Sequence, residues 1–116
     1  MDRLRQRADF LAAASGARVA VPAFVVQARN RNDQGPARVG FTVSKKVGTA
    51  VQRNRVRRRL RELVSQVPSF RPQCDYVLVG RRSALGRGFD TMLDDLTSAL
   101  KRLDAQLAKS ARASAE

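Results

Sequence analysis

The longest regular pattern in the chain is helical. Val56, Leu60, Leu63, Val64 and Val67 recur at i, i+4, i+7, i+8 and i+11, one narrow apolar arc on a helix from about Ala50 to Gln66. Thr49 precedes it with the chemistry of an N-cap: its hydroxyl can accept from the Gln52 N–H while the Gln52 side chain reaches back, a capping box. Pro68 sets the far limit. A second stripe, Met92 or Leu93 with Leu96, Leu100, Leu103 and Leu107, predicts a helix over Asp90–Leu107. Asp90, Asp94 and Asp95 lie near its start, where negative charge complements the helix dipole, and read as capping residues. Nearer the N-terminus, Asp9 is placed to cap a short helix, Phe10 to Ser15, which Gly16 can close in a left-handed conformation. Residues 1–8 are basic and expected to be loose. The small polar tail from Ala108 is expected to fray.

Between these helices the period changes to two. Ala17–Val21 reads as a strand interrupted at Pro22, and Ala23–Arg29 as a second, with Phe24 and Val26 facing one way and Val25 and Gln27 the other. Asn30 to Pro36 is a turn by composition. Arg38–Ser44 alternates cleanly, Val39, Phe41 and Val43 inward and Arg38, Gly40, Thr42 and Ser44 outward. Pro68 to Gln73 is a loop, and Asp75–Arg81 is a fourth strand. The order is α-β-β-β-α-β-α, an α+β fold in one domain spanning 1–116. The Val-rich strand–helix–strand segment implies a parallel pair joined by a crossover.

Charge changes the picture most on the central helix. The chain carries a net charge of +13, and no acidic residue occurs between Gln34 and Arg61. Arg55, Arg57, Arg58, Arg59 and Arg61 point away from the apolar arc. Arg53 lies one turn before Val56, and with Asn54 it is expected at the mouth of a groove. Pairs such as Arg53–Arg57 and Arg57–Arg61 repel each other at i,i+4. A helix under pressure only to fold would intersperse glutamates. The one-sided density points to a polyanionic partner, bound with strong salt dependence.

The residues for catalysis are missing. The chain has no histidine, which removes the commonest general base and metal ligand. Its single cysteine, Cys74, cannot form an intrachain disulfide, and no disulfide-linked partner is expected; a reducing, cytoplasmic setting fits. One Cys without His makes no structural zinc site. Ser44 and Lys45 are adjacent on a strand and point to opposite faces, a poor geometry for a nucleophile and its base. No apolar run is long enough to span a membrane, and no membrane partner is expected. Binding is the better reading: arginines offer phosphate contacts and planar surfaces. Five Phe and one Tyr are few for a platform of stacked bases.

The stretch RVGFTVSKKVGTAVQRNRVRRRLRE, Arg38 to Glu62, resembles the protein subunit of bacterial ribonuclease P. The resemblance lies in the Arg38–Lys46 strand, the Ala50–Glu62 helix and the Arg53-Asn54-Arg55 triplet. It extends from Arg3-Leu4 and Asp9-Phe10 to DYVLVGR and the last helix. It implies a left-handed crossover, where the general rule favours a right-handed one. It implies a protein that assists a catalytic RNA in removing the 5′ leader of precursor tRNA, the RNA carrying the chemistry with its Mg2+ ions. By this resemblance Arg53, Asn54, Arg55, Arg57, Arg58 and Arg61 bind RNA, Lys45 and Lys46 stand at a cleft rim, and Phe10, Val25 and Gln27 line the leader cleft. Ala14 stands where many members have a second aromatic, and Gln27 where an aromatic is common. Phe10 has two readings: a plug between the first helix and the sheet, or a cleft wall. The rival functions are a basic RNA-binding protein of ribosomal type, with no part in tRNA processing, and a chain that is itself a nuclease.

Overall fold

The computed structural model describes residues 2–67 and 70–115. Strand β1 is Asp2–Arg3, helix α1 Arg7–Ala14, β2 Ala17–Ala20, β3 Phe24–Asn30 and β4 Arg38–Thr42. Helix α2 is Ala50–Ser65, β5 Cys74–Gly80 and α3 Phe89–Ala115, with short 3-10 turns at Lys45–Val47 and Arg82–Leu85. The expected helix stop at Pro68 lies outside the described residues, as do residues 1, 69 and 116.

One sheet carries the fold, in the order β1-β4-β5-β3-β2. β4 and β5 are parallel, as the crossover requires, and β3 runs antiparallel to both β5 and β2. The alternation along β5 separates two layers. Tyr76 and Leu78 face the main core, with Phe24, Val26 and Val39 beside them and Val56, Leu60, Leu63, Met92, Leu96, Leu100 and Leu103 of α2 and α3 above. Val77 and Val79 face the other way, against Leu4, Phe10 and Ala13. Both amphipathic stripes are therefore buried as their spacing dictates. No described helix is long and apolar enough to cross a membrane.

The N-terminal end departs from expectation. Residues 2–4 are not loose: β1 runs parallel to β4, the Asp2 N–H donates to Ala37 O at 2.8 Å and the Leu4 N–H to Val39 O at 3.0 Å. Leu4 is buried. These partners lie far along the chain, so no local pattern announces them. Helix α1 starts at Arg7, has no side-chain cap, and uses Asp9 within its first turn rather than before it. Gly16 does not close α1 with a left-handed turn, since Gly48 is the one positive-φ glycine among the described residues. Gly16 is needed for proximity instead: a Cβ there would stand 2.3 Å from the Ala28 carbonyl oxygen. At the other end, α3 continues past Ala108 to Ala115 where fraying was expected. That segment is rich in alanine and free of Gly and Pro, so the helix meets no stop signal.

Candidate nucleic-acid interface

The phase of α2 is fixed at both levels that the sequence suggested. The capping box is formed, with the Gln52 N–H donating to Thr49 Oγ1 at 3.2 Å and the Thr49 N–H to Gln52 Oε1 at 2.9 Å. The buried arc of Val56, Leu60, Leu63 and Val64 then rotates the arginines outward. Asn54, Arg55, Arg58 and Arg61 are exposed, and so are Lys45 and Lys46 on the preceding 3-10 turn. Arg53 and Arg57 are half-buried, and Arg57 Nη1 donates to Asn54 Oδ1 at 3.2 Å. Arg59 is committed to the fold, donating to the Arg87 carbonyl. Among the described residues, no ion pair engages Arg53, Arg55, Arg57, Arg58 or Arg61. A row of uncompensated guanidiniums on one helix is chemically suited to phosphate.

A cleft opens at the β1/β4 edge of the sheet, between the face covered by α1 and the face covered by α2. One cavity of about 410 Å3 is lined by Arg3, Leu4, Arg5, Phe10, Gly40, Phe41, Arg57 and Arg61. A second, of about 370 Å3, shares Arg5, Phe10, Phe41 and Arg57 and adds Arg7, Thr42 and Val43. Phe10 is half-buried: it sits on Gly40 and also lines both cavities. Two partly open phenyl rings between cationic rails offer stacking and phosphate contacts together.

Val25 and Gln27 stand opposite Val79 and Val77 of β5, on the side of the sheet that faces α1. Val25 is buried and Gln27 half-buried on β3, two strands from β4, and neither lines the cavities around Phe10. Arg53 and Asn54 do not stand at the mouth of this cleft; Arg57 and Arg61 do. Helix α2 packs against the 3-10 turn at Arg82–Leu85, and its Arg57 and Arg61 reach the open edge. Asn54, Arg55 and Arg58 border a separate recess with the exposed Val51. Arg3, Arg5 and Phe41 were not legible as cleft residues, because β1 had no signature and Phe41 reads as a core position.

Arg38, outward on β4, is engaged within the fold. It lies beside Asp75 on the neighbouring strand, and Asp75 is in turn paired with Arg29 across the next ladder. Asp75 has no solvent exposure, and its carboxylate accepts from Arg38 Nε at 2.7 Å, Arg38 Nη2 at 2.8 Å and Arg29 Nε at 3.0 Å, with Arg31 as a third partner. Burial alone would raise this carboxyl, but the hydrogen bonds from Arg38, Arg31 and Arg29 outweigh it and hold it below the ordinary carboxylate range. Asp9 reaches down from α1 to the same arginines, 2.8 Å from Arg29 Nη2 and 3.4 Å from Arg38 Nη2. Burial pushes the Cys74 thiol up, which leaves it inert. No group of three or more Cys, Asp or Glu among the described residues is arranged to hold a metal ion. The arrangement is suited to binding an extended polyanion.

A family model described as Ribonuclease P matches residues 1–104. The ribonuclease P protein component of Ruegeria pomeroyi is 55% identical over 108 residues, covering 88% of this chain and 86% of its own. That of Gluconacetobacter diazotrophicus is 50% identical over 103 residues, covering 86% and 89%. Among solved structures, the RNase P protein of Staphylococcus aureus superposes with a TM-score of 0.74 at 30% identity, covering 92% of this chain and 97% of its own. The Thermotoga maritima protein gives 0.73 at 30% identity, covering 88% and 97%.

Proposed function

The chain belongs to the ribonuclease P protein family, and from that premise we propose how its surfaces divide the work. The family's members are subunits of a ribonucleoprotein endonuclease that matures the 5′ end of tRNA, and this chain is such a subunit. It has an RNA partner.

That partner, in our reading, is the catalytic RNA, with precursor tRNA as the second ligand, in the cytoplasm. The exposed face of α2, with Asn54, Arg55 and Arg58, and with Arg53, Lys45 and Lys46 nearby, contacts the catalytic RNA. The cleft beside Phe10 takes the single-stranded 5′ leader, its phosphates running between Arg3 and Arg5 on one side and Arg57 and Arg61 on the other. Magnesium and the hydrolytic chemistry belong to the RNA. The protein's part is to neutralise charge where two polyanions meet, at a net +13, and to hold the leader. The observation that carries the reading is the half-open Phe10 ring within a cavity lined by four arginines. The family match over residues 1–104 leaves the ribosomal-type rival without support.

Sequencing the RNA that co-purifies with the tagged chain tests this directly. The expected species are one catalytic RNA and tRNA precursors that retain leaders; recovery of ribosomal RNA alone would overturn the reading. Cleavage of precursor tRNA by stringently purified, RNA-free protein in magnesium would also overturn it.

A further inference from the structure

Helix α1 carries Phe10 into the cleft, yet little apolar surface holds it. It spans Arg7–Ala14, has no side-chain N-cap, and buries only Ala13 completely. A helix this short has no stability of its own and takes its position from tertiary contacts. Its strongest polar contact is Asp9, the residue before Phe10. Asp9 Oδ1 accepts from Arg29 Nη2 at 2.8 Å and lies 3.4 Å from Arg38 Nη2. Those arginines are themselves fixed by Asp75 from within the sheet. Each guanidinium thus bridges two carboxylates, one on β5 and one on α1. Arg29 is on β3 and Arg38 on β4, so Asp9 is tied across the β5 strand that separates them. The Phe10 ring beside it comes to rest on Gly40 of β4, two residues beyond Arg38.

We infer that Asp9 is the positioning residue of the leader cleft: its ion pairs with Arg29 and Arg38 set the placement of α1 on the sheet and thereby hold the Phe10 ring over Gly40. Asp9 does not contact RNA in this scheme. Its charge is opposite to what a phosphate needs, and its side chain is largely buried against the arginines. The leader-binding part of the inference rests on the function proposed above; the placement of the ring does not.

Two measurements separate the parts. In the free protein, a phenyl ring lying on Gly40 displaces the Gly40 α-proton resonances by its ring current. Asp9→Asn is expected to move them most of the way to the values of Phe10→Ala, well below the melting temperature. Arg29→Lys keeps the charge but loses the two-carboxylate bridge, and is expected to move them in the same direction; it serves where Asp9→Asn folds poorly. Unchanged Gly40 resonances in both variants would overturn the positioning role. In the assembled ribonucleoprotein, Asp9→Asn is expected to weaken binding of leader-bearing tRNA by roughly fivefold or more, the low end of a base–aromatic stack. Leaderless tRNA should be unaffected, and adding Phe10→Ala should cause no further loss. Additive losses, equal losses for both tRNAs, or tighter binding from unmasked arginines would overturn the coupling of Asp9 to the leader. If Phe10→Ala alone shows no leader-dependent loss while the Gly40 resonances move, the leader reading fails and the placement of the ring by Asp9 stands.

Discussion

The Phe10 ring rests directly on Gly40: a methyl group at Gly40 would stand 2.6 Å from both Cε1 and Cζ. The outward face of β4 therefore has no side chain at this point, which lets an aromatic from α1 approach the backbone. Gly40→Ala must displace the ring or the helix, at about 1–3 kcal/mol of stability. Affinity for leader-bearing tRNA should fall, and affinity for mature tRNA should hold. Melting temperature together with the two affinities checks this; identical losses for both tRNAs would separate Gly40 from the cleft.

Phe10→Ala should behave as a half-buried substitution. The ring is half-buried, packed on Gly40 and against the small cluster of Leu4, Ala13 and Val77. The stability loss should thus fall short of the roughly 3–5 kcal/mol of a fully buried Phe→Ala. Thermal melting reads that loss, and a full core-sized drop would return Phe10 to the role of a plug.

Arg57 and Arg61 line the cleft without acidic partners among the described residues. Changing both to Ala should weaken precursor tRNA binding and flatten its salt dependence by roughly one unit of slope per lost phosphate contact. The fold should survive, since neither belongs to the buried arc. The check is a plot of log affinity against log salt concentration, and an unaltered slope would remove both from the interface.

Leu60 is fully buried between α2 and the sheet. Leu60→Ala should cost about 2–5 kcal/mol. In a small domain this is a large share of the total stability, and denaturant melts would show it directly.

Asp75 is expected to make the fold sensitive to acid. Its carboxyl is depressed in the folded state, so its contribution is fully present above the unfolded value of about 3.9 and is lost as pH falls through the lower folded value. Asp75→Asn leaves Arg29, Arg31 and Arg38 without their shared anion and should cost about 3–5 kcal/mol at neutral pH. Melting temperatures measured from pH 7 down to pH 2 should fall for the parent on the acid side and vary less for the variant.

The sequence by itself determined whatever depends on near neighbours. The capping box at Thr49 and Gln52, the buried arc from Val56 to Val67, the α3 stripe and the two-residue alternation of β3 and β4 are all where their spacing puts them. Helical and strand periods are local, and an apolar residue repeated at that period has one way to leave water. The parallel β4–β5 pair followed from the helix between them. That the arginines lie off the buried arc followed too, but not which of them turn to the cleft, to the recess beside Val51 or to the Arg87 carbonyl. Only the tertiary structure decided the cleft. Arg3 and Arg5 line it because β1 pairs with β4, and Phe41 does because the sheet ends there. Asp75, which reads as an ordinary strand residue, became a buried ion-pair centre because three strands and α1 bring Arg29, Arg31, Arg38 and Asp9 around it. Those partners are separated by long stretches of chain, and a long-range ion pair has no period: its energy exists only once burial has removed the competing water.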